Sequence, residues 1–332
     1  MRIAVTGSAG LIGSLIQDEL IKQGHEVLSI DNLSGGFRRN FNDKATIEVI
    51  DLCQKGAVEW AFKKFEPEII YHCAANAREG ASFFDPAKIV MANQVATINT
   101  LEAAIKTGTL KKFLYFSSMA SYGEQTPPFT EEMTLKPCDV YGVAKASMEE
   151  TVKILAKCYN FNYTIIRPHN CFYERQNIRD KFRNVIGIFM NRIMRREPLY
   201  IYGDGQQKRQ FSYLGDALPC FIKCLDHCNN ETINIGGTME YTIEHVAFMV
   251  IEAMMEDLAY PIVYLPARYG EVKFAYCDPT KSIKLLGYED KIGVEEGIAR
   301  MSRWAKTLGG QEWVNEPLAL DSEYIPSTWR KA

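Results

Sequence analysis

Met1-Arg-Ile-Ala-Val-Thr-Gly-Ser-Ala-Gly-Leu-Ile-Gly13 is followed by a helix-like run and then by Val27-Leu-Ser-Ile-Asp31. Ile3 to Val5 make an apolar strand that feeds Gly7, Gly10 and Gly13. From Leu11 to Lys22 the apolar positions Leu11, Ile12, Leu15, Ile16 and Leu20 recur at helical spacing, with Gln17, Asp18 and Glu19 between them. Gly24 ends that helix, and a second strand ends on Asp31. Three glycines alone would mark an ordinary tight turn. Strand, glycines, helix, second strand and terminal acid in this order form the opening βαβ unit of a dinucleotide-binding fold. The glycines let the backbone approach a pyrophosphate at a helix N-terminus, where unpaired N–H groups and the dipole favour anions. Asp31 is placed to accept from adenosine ribose hydroxyls and would repel a 2′-phosphate, which favours NAD over NADP.

Working outward, strands are expected at Ile47 to Ile50, Glu68 to Cys73, Phe113 to Ser118 and Tyr163 to Arg167. Helices are expected at Ala57 to Lys64, Pro86 to Thr107 and Val140 to Tyr159. Strand and helix alternate, so the fold class is α/β, a doubly wound parallel (Rossmann) sheet with a smaller C-terminal substrate-binding lobe. The expected division is a dinucleotide-binding domain over 1–167, a lobe over 168–310 with some segments returning to the sheet, and a polar, loosely packed tail over 311–332. Ligands in such sheets bind beyond the carboxyl ends of the strands, where Gly7, Asp31, Asp51, Ala74, Ser117, Ser118 and Pro168 fall.

Composition narrows the class. The chain has 332 residues, 47% of them hydrophobic, which is enough for a sizeable core. Its 38 basic and 41 acidic residues argue against nucleic acid as a partner. No run is long and apolar enough to span a bilayer, and Met1 leads straight into a core strand, so neither a membrane span nor a leader is expected. Nine cysteines without a disulfide framework suit reduced thiols in a cytoplasm. Cys220, Cys224 and Cys228 are spaced like one helix face, which makes packing the expected role and leaves no metal site. Nine Lys/Arg between Arg175 and Arg209 would suit a small anionic substrate, but most are expected on solvated helix faces.

The chemistry is concentrated in Phe116-Ser-Ser-Met-Ala-Ser-Tyr122-Gly123 and Tyr141-Gly-Val-Ala-Lys145. Tyr141 and Lys145 are four apart on an expected helix and share a face. A phenol near its ordinary pKa of ~10 is a poor base at neutral pH. A neighbouring ammonium and a positive nicotinamide would both lower that pKa. Ser118, at a strand end, can hydrogen-bond a substrate hydroxyl. The three make a proton-transfer set for oxidising an alcohol to a ketone.

On these motifs the chain resembles the extended short-chain dehydrogenase/reductases, and within them the NAD-dependent nucleotide-sugar epimerases of the UDP-glucose 4-epimerase type. The resemblance runs from residue 1 to about 305. Thr6 to Gly13, Asp31 to Gly35, and His72-Cys-Ala-Ala75 look like that family's cofactor motifs. The resemblance implies cofactor contacts from Gly7, Gly10, Leu11, Ile12, Asp31, Asn32, Asp51, Leu52, Ala74, Ala75, Asn93, Ser117, Tyr141, Lys145 and Pro168. It places Ser118, Tyr141 and Lys145 on the catalytic positions. Arg167-Pro-His-Asn170, Tyr200 to Gly205 running to Arg209, and Arg268-Tyr-Gly-Glu271 resemble the substrate motifs. They imply a nucleotide-diphosphate sugar, a UDP-sugar foremost, bound by Ser118, Tyr141, Asn170, Tyr202, Arg209, Arg268 and Glu271. Arginine suits phosphate through its planar fork of donors. The helices around 86–107 and 140–159 form a four-helix dimer interface in similar proteins, so a homodimer is implied.

Departures bear on the sugar. Phe172-Tyr173-Glu174 replaces the usual Tyr-Gly-Pro, Gln210 replaces an acid after the phosphate arginine, Ala77 stands in place of a frequent lysine, and Ala96 replaces a glycine. Dehydratases of the family carry an Asp-Glu pair after the active-site hydroxyl, and decarboxylases keep a Glu. Met119 and Ala120 can do neither task. The remaining expectation is epimerisation at C4 through a 4-keto sugar with NAD as cofactor. A 4-dehydrogenase or dehydratase, and a non-catalytic NAD-binding regulator, stay open as alternatives.

Overall fold

The computed structural model describes residues 1–254 and 259–330. Seven parallel strands form the central sheet. In chain order they are β1 (Arg2–Thr6), β2 (Glu26–Ile30), β3 (Thr46–Glu48), β4 (Ile69–His72), β5 (Lys112–Phe116), β6 (Asn162–Pro168) and, from the second half of the chain, β11 (Glu231–Ile235). Their spatial order is β11-β6-β5-β4-β1-β2-β3, so the order reverses on either side of β1, where the glycine turn lies.

Alternation along each strand assigns the two faces. Ile3, Val5, Ile69, Tyr71, Leu114 and Phe116 bury against α1 (Leu11–Lys22), α7 (Leu214–Lys223) and α9 (Thr280–Leu286). Ala4, Ile70, Phe113 and Tyr115 point the other way, against α2 (Lys55–Phe65), α4 (Ala96–Thr107) and α5 (Val140–Tyr159). Strands buried on both faces explain why these segments read as nearly continuous apolar runs. The expected helix at 86–107 is interrupted: α3 (Pro86–Val90) passes through a π turn at Met91–Val95 into α4. A single π turn in an α-helix usually has a local function, and here it places Asn93.

The lobe has its own core, built by α6 (Val185–Met194), α8 (Ile243–Met254) and α10 (Gly293–Leu308). Short strands connect it: β7 (Cys171–Phe172), β8 (Leu199–Tyr202), β9 (Lys208–Gln210), β10 (Ser212–Tyr213), β12 (Glu240–Thr242), β13 (Ile262–Leu265) and β14 (Phe274–Ala275). Cys220 and Cys224 are buried against the sheet in the core beside α7, as packing residues.

The segment after α10 corrects the expectation of a loose tail. Gln311 N–H donates to Asn191 Oδ1 (2.7 Å), Val314 N–H to the Arg179 carbonyl (2.9 Å) and Leu320 N–H to the Phe84 carbonyl (2.9 Å). Ile325 and Trp329 are buried with Ala81, Phe84 and Phe182. Polarity misled the reading because the aromatic anchors are spaced too widely to show a period.

Candidate active site

One cavity of about 750 Å³ runs from the glycine turn, past the ends of β4, β5 and β6, to the lobe and the terminal segment. Its cofactor end is made mostly of backbone. Gly7 adopts φ +68, and a Cβ there would stand 2.7 Å from the Ala74 nitrogen. A Cβ on Gly13 would stand 2.3 Å from the Gly7 carbonyl oxygen, so the helix start and the turn are pressed together. Gly10 caps α1 with no side-chain hydrogen bond. The N–H groups at the start of α1 therefore lack a protein side-chain cap, and Leu11, Ile12 and Gly13 line the cavity. That cradle fits a pyrophosphate.

Asp31 stands one residue past β2. Its carboxylate accepts from the N–H groups of Ala9 (3.0 Å) and Leu33 (2.7 Å), which fixes its direction. Burial raises its pKa, while the two N–H bonds and the Arg183 charge oppose the rise. Asn32 donates to Asp51 (3.2 Å), and both line the cavity with Leu52. These acceptors fit the hydroxyls of an adenosine ribose. Ala74, Ala75, Ser117 and Pro168 line the adjoining wall.

Asn93 is a correction. It is fully buried and lies beneath the cavity wall, not on it. Its amide accepts from Asn76 N–H (3.2 Å) and donates to the carbonyls of Asn76 (3.2 Å) and Ile89 (2.8 Å). It braces the loop after β4 and leaves contact with a cofactor to that loop.

The reacting set lies at the middle of the cavity. Asp139 caps α5, accepting from Gly142 N–H at 2.8 Å, and so starts the helix that presents Tyr141 and Lys145. Lys145 donates to the Phe116 carbonyl (2.7 Å), and its nitrogen stands 5.8 Å from the centre of the Tyr141 ring. Ser118 accepts from Ala120 N–H (3.1 Å), so it does cap the following turn, and its hydroxyl also faces the Tyr141 phenol. Behind this set, Arg167 on β6 makes a two-pronged pair with Glu149 on α5 (2.9 and 2.6 Å), buried on both sides. Ser117 donates to the same carboxylate (2.5 Å). This pair locks α5 to the sheet beside the site.

The electrostatics qualify the expectation for Tyr141. Burial is the largest influence and raises the phenol well above its ordinary value, with Glu79 adding to the rise. The Ser118 hydrogen bond and Arg183 oppose it. Burial also pulls the Lys145 ammonium down to about 8. A unit charge about 6 Å away at an effective dielectric of ~20 is worth about 2.8 kcal/mol, or about two pKa units. One partly discharged lysine does not overcome a fully buried phenol. A further positive charge brought against the ring would favour the tyrosinate and make this proton more labile.

The substrate end is made of side chains. Arg209 donates to Glu271 (3.0 Å) and to the Lys208 carbonyl (2.9 Å). Arg268 donates to Glu271 (2.6 Å), so one carboxylate orients both guanidinium groups. Tyr202 lies under Arg268, 5.1 Å from ring centre to guanidinium. Asn170, at φ +36, donates to the Gln210 carbonyl (2.7 Å). All of these line the cavity. Two arginines side by side fit a diphosphate.

The cavity wall also includes residues that no motif pointed to: Glu79, Asp139, Lys181, Arg183, Asn184, Glu316, Thr328 and Trp329. Five of the nine basic residues between 175 and 209 line the cavity: Arg209, as the resemblance implies, and Arg175, Lys181, Arg183 and Arg192, so the expectation that most lie on solvated faces is corrected. The density of that basic cluster was the available signal. Glu79 and the terminal aromatics carried none.

Comparison with known proteins agrees with this geometry. Residues 3–236 match the model of the NAD dependent epimerase/dehydratase family. The putative UDP-glucose 4-epimerase of Methanocaldococcus jannaschii is 33% identical over 307 residues, covering 92% of this chain and 98% of that one. The crystal structure of the Thermotoga maritima UDP-glucose 4-epimerase with UDP-glucose superposes with a TM-score of 0.88 at 32% identity, covering 93% and 99% of the two chains. That of the Thermus thermophilus UDP-glucose 4-epimerase with NAD gives 0.86 at 29% identity, covering 92% and 99%. With a glycine turn against an uncapped helix, a Tyr-Lys pair on α5 and paired arginines lining one cavity, and with the family model matched over residues 3–236, the chain belongs to the NAD dependent epimerase/dehydratase family.

Proposed function

We propose that this protein is an NAD-dependent nucleotide-sugar 4-epimerase acting on a UDP-sugar. The carrying observation is that one cavity holds the cradle at α1, the Tyr141–Lys145 pair and the Arg209–Arg268 pair. Oxidised NAD, when bound, supplies a hydride acceptor and a further positive charge near the phenol. Gly7, Gly10, Leu11 and Ile12 hold its pyrophosphate, Asp31 and Asn32 its ribose, and Asp51 and Leu52 its adenine end. Asn170, Arg209, Arg268 and Glu271 hold the nucleotide diphosphate. Tyr141 takes the proton of the C4 hydroxyl as the sugar becomes a 4-ketone, and Ser118 holds that oxygen by a hydrogen bond. Tyr141 then returns the proton after the ketone has presented its other face. A tightly held diphosphate with few contacts to the sugar permits that turn.

Met119 and Ala120, which follow Ser118, offer no acid or base, so elimination and decarboxylation find no side chain there. Exposed Met91, Ile98, Val143 and Ile154 lie along the 86–107 and 140–159 helices and support a homodimer through a four-helix bundle. Nine free thiols suit work in the cytoplasm. The test is incubation of purified protein with UDP-glucose, UDP-galactose and their N-acetyl counterparts, followed by NMR. Interconversion of C4 epimers without added NAD or net NADH is expected. Stoichiometric NADH with a released ketone would favour the dehydrogenase instead.

A further inference from the structure

The segment after α10 crosses from the lobe to the cofactor domain over the cavity. Trp313 Nε1 donates to Glu197 (3.1 Å) on the lobe. Glu316 then accepts from Arg78 (2.8 Å) and from Lys88, both on the loop and helix that follow β4. The chain turns back to place Ser327–Trp329 at the substrate end.

The last residues of the segment are wall residues of the cavity. Thr328 Oγ1 and the Tyr202 hydroxyl share a hydrogen bond (2.5 Å). The Trp329 ring stands edge-on to Tyr202 (6.4 Å) and to Phe182 (5.0 Å), and the Arg268 guanidinium lies 6.0 Å from its centre. Lys181 donates to the Trp329 carbonyl (3.0 Å) and lines the same cavity. A Cβ on Gly80 would stand 2.8 Å from the indole edge, so the glycine is what lets the ring reach this place. Arg268 thus has Glu271 on one side and two aromatic rings beside it. Beside the guanidinium pair that fits a diphosphate, Tyr202 and Trp329 set two flat aromatic rings and a pair of hydroxyls into the wall, next to the Lys181 ammonium. That chemistry fits the planar base of a nucleoside diphosphate.

We infer that Thr328 and Trp329 are nucleotide-recognition residues, and that the terminal segment completes the base end of the substrate site. The inference rests on the reading of the site as a nucleotide-sugar pocket. Trp329 supplies a face or edge for the base and holds Tyr202 and Arg268 in place; Thr328 fixes the Tyr202 hydroxyl. Neither touches the reacting carbon, so both act on substrate affinity and leave proton transfer alone.

Calorimetry on the NAD-loaded protein tests this with UDP and inorganic pyrophosphate as probes. Trp329→Ala is expected to weaken UDP about tenfold, within the range for base–aromatic contact, and Trp329→Phe by much less. Pyrophosphate affinity and NAD content should stay at the wild-type level in both, and KM for the nucleotide sugar should rise with little change in kcat. Unchanged UDP affinity in Trp329→Ala, or equal weakening of both probes, would overturn the inference. So would loss of NAD from both variants, which would make the indole a structural strut. If wild-type protein binds pyrophosphate as tightly as UDP, the base has no subsite and the inference alone fails. If it binds neither probe, the nucleotide-sugar reading itself fails.

Discussion

The two ends of the cavity are built by different means. The cofactor end is a backbone device: glycines in contact, an uncapped helix start and two strand-end acids, all within the first 52 residues. The substrate end is assembled from side chains on separate segments, with Glu79, Lys181, Arg209, Arg268 and Trp329 meeting only in three dimensions. A backbone device depends on spacing and tolerates little change. A side-chain device can alter its ligand by substitution, which is how one fold comes to serve several sugars.

Substitutions at the two ends should act on different quantities. The largest effect is expected where both ends meet. Tyr141→Phe should lower kcat by about 10²- to 10⁴-fold with NAD still bound, measured by epimer interconversion and by the nicotinamide released on denaturation. If NAD is lost as well, the phenol belongs to the cofactor end and the contrast blurs.

Glu149→Ala leaves the Arg167 guanidinium buried without its partner. A loss of about 3–5 kcal/mol is expected in denaturant unfolding. Arg209→Ala should raise KM for the nucleotide sugar roughly tenfold to a hundredfold, by loss of charge-assisted hydrogen bonds, and leave NAD retention unchanged. A fall in NAD content there would mean that the two ends are not separable.

The contrast also explains what was legible in the sequence. Glycine spacing, strand-end acids and the Tyr-x-x-x-Lys pair are local patterns, and the structure brings each of them to the cavity. The helices Leu11–Lys22 and Val140–Tyr159 match their expected bounds because periodicity, a capping Asp139 and left-handed Asn160 define them locally. The roles of Asn93 and Trp329 are not local patterns. Asn93 depends on the backbone of Asn76 in the loop after β4, and Trp329 on Tyr202 and Phe182, well over a hundred residues before it. Spacing puts Lys145 beside Tyr141 but says nothing about burial, which is the largest influence on the phenol.

The smallest expected effect concerns that phenol. Glu79 is the second influence raising Tyr141. Glu79→Gln removes a negative charge, so the phenol's pKa falls and more tyrosinate exists at a given pH. The acidic limb of the kcat–pH profile should therefore move to lower pH, by a few tenths of a unit to about one unit. A shift to higher pH would show that Glu79 acts in another way.

Epimerisation through a 4-ketone requires one site to remove and return the same hydrogen at C4. Conversion of a UDP-hexose deuterated at C4 follows that hydrogen. Full retention of deuterium at C4 of the epimer, with no labelled NADH in solution, is the predicted result. Deuterium lost to water, or found in free NADH, would contradict it.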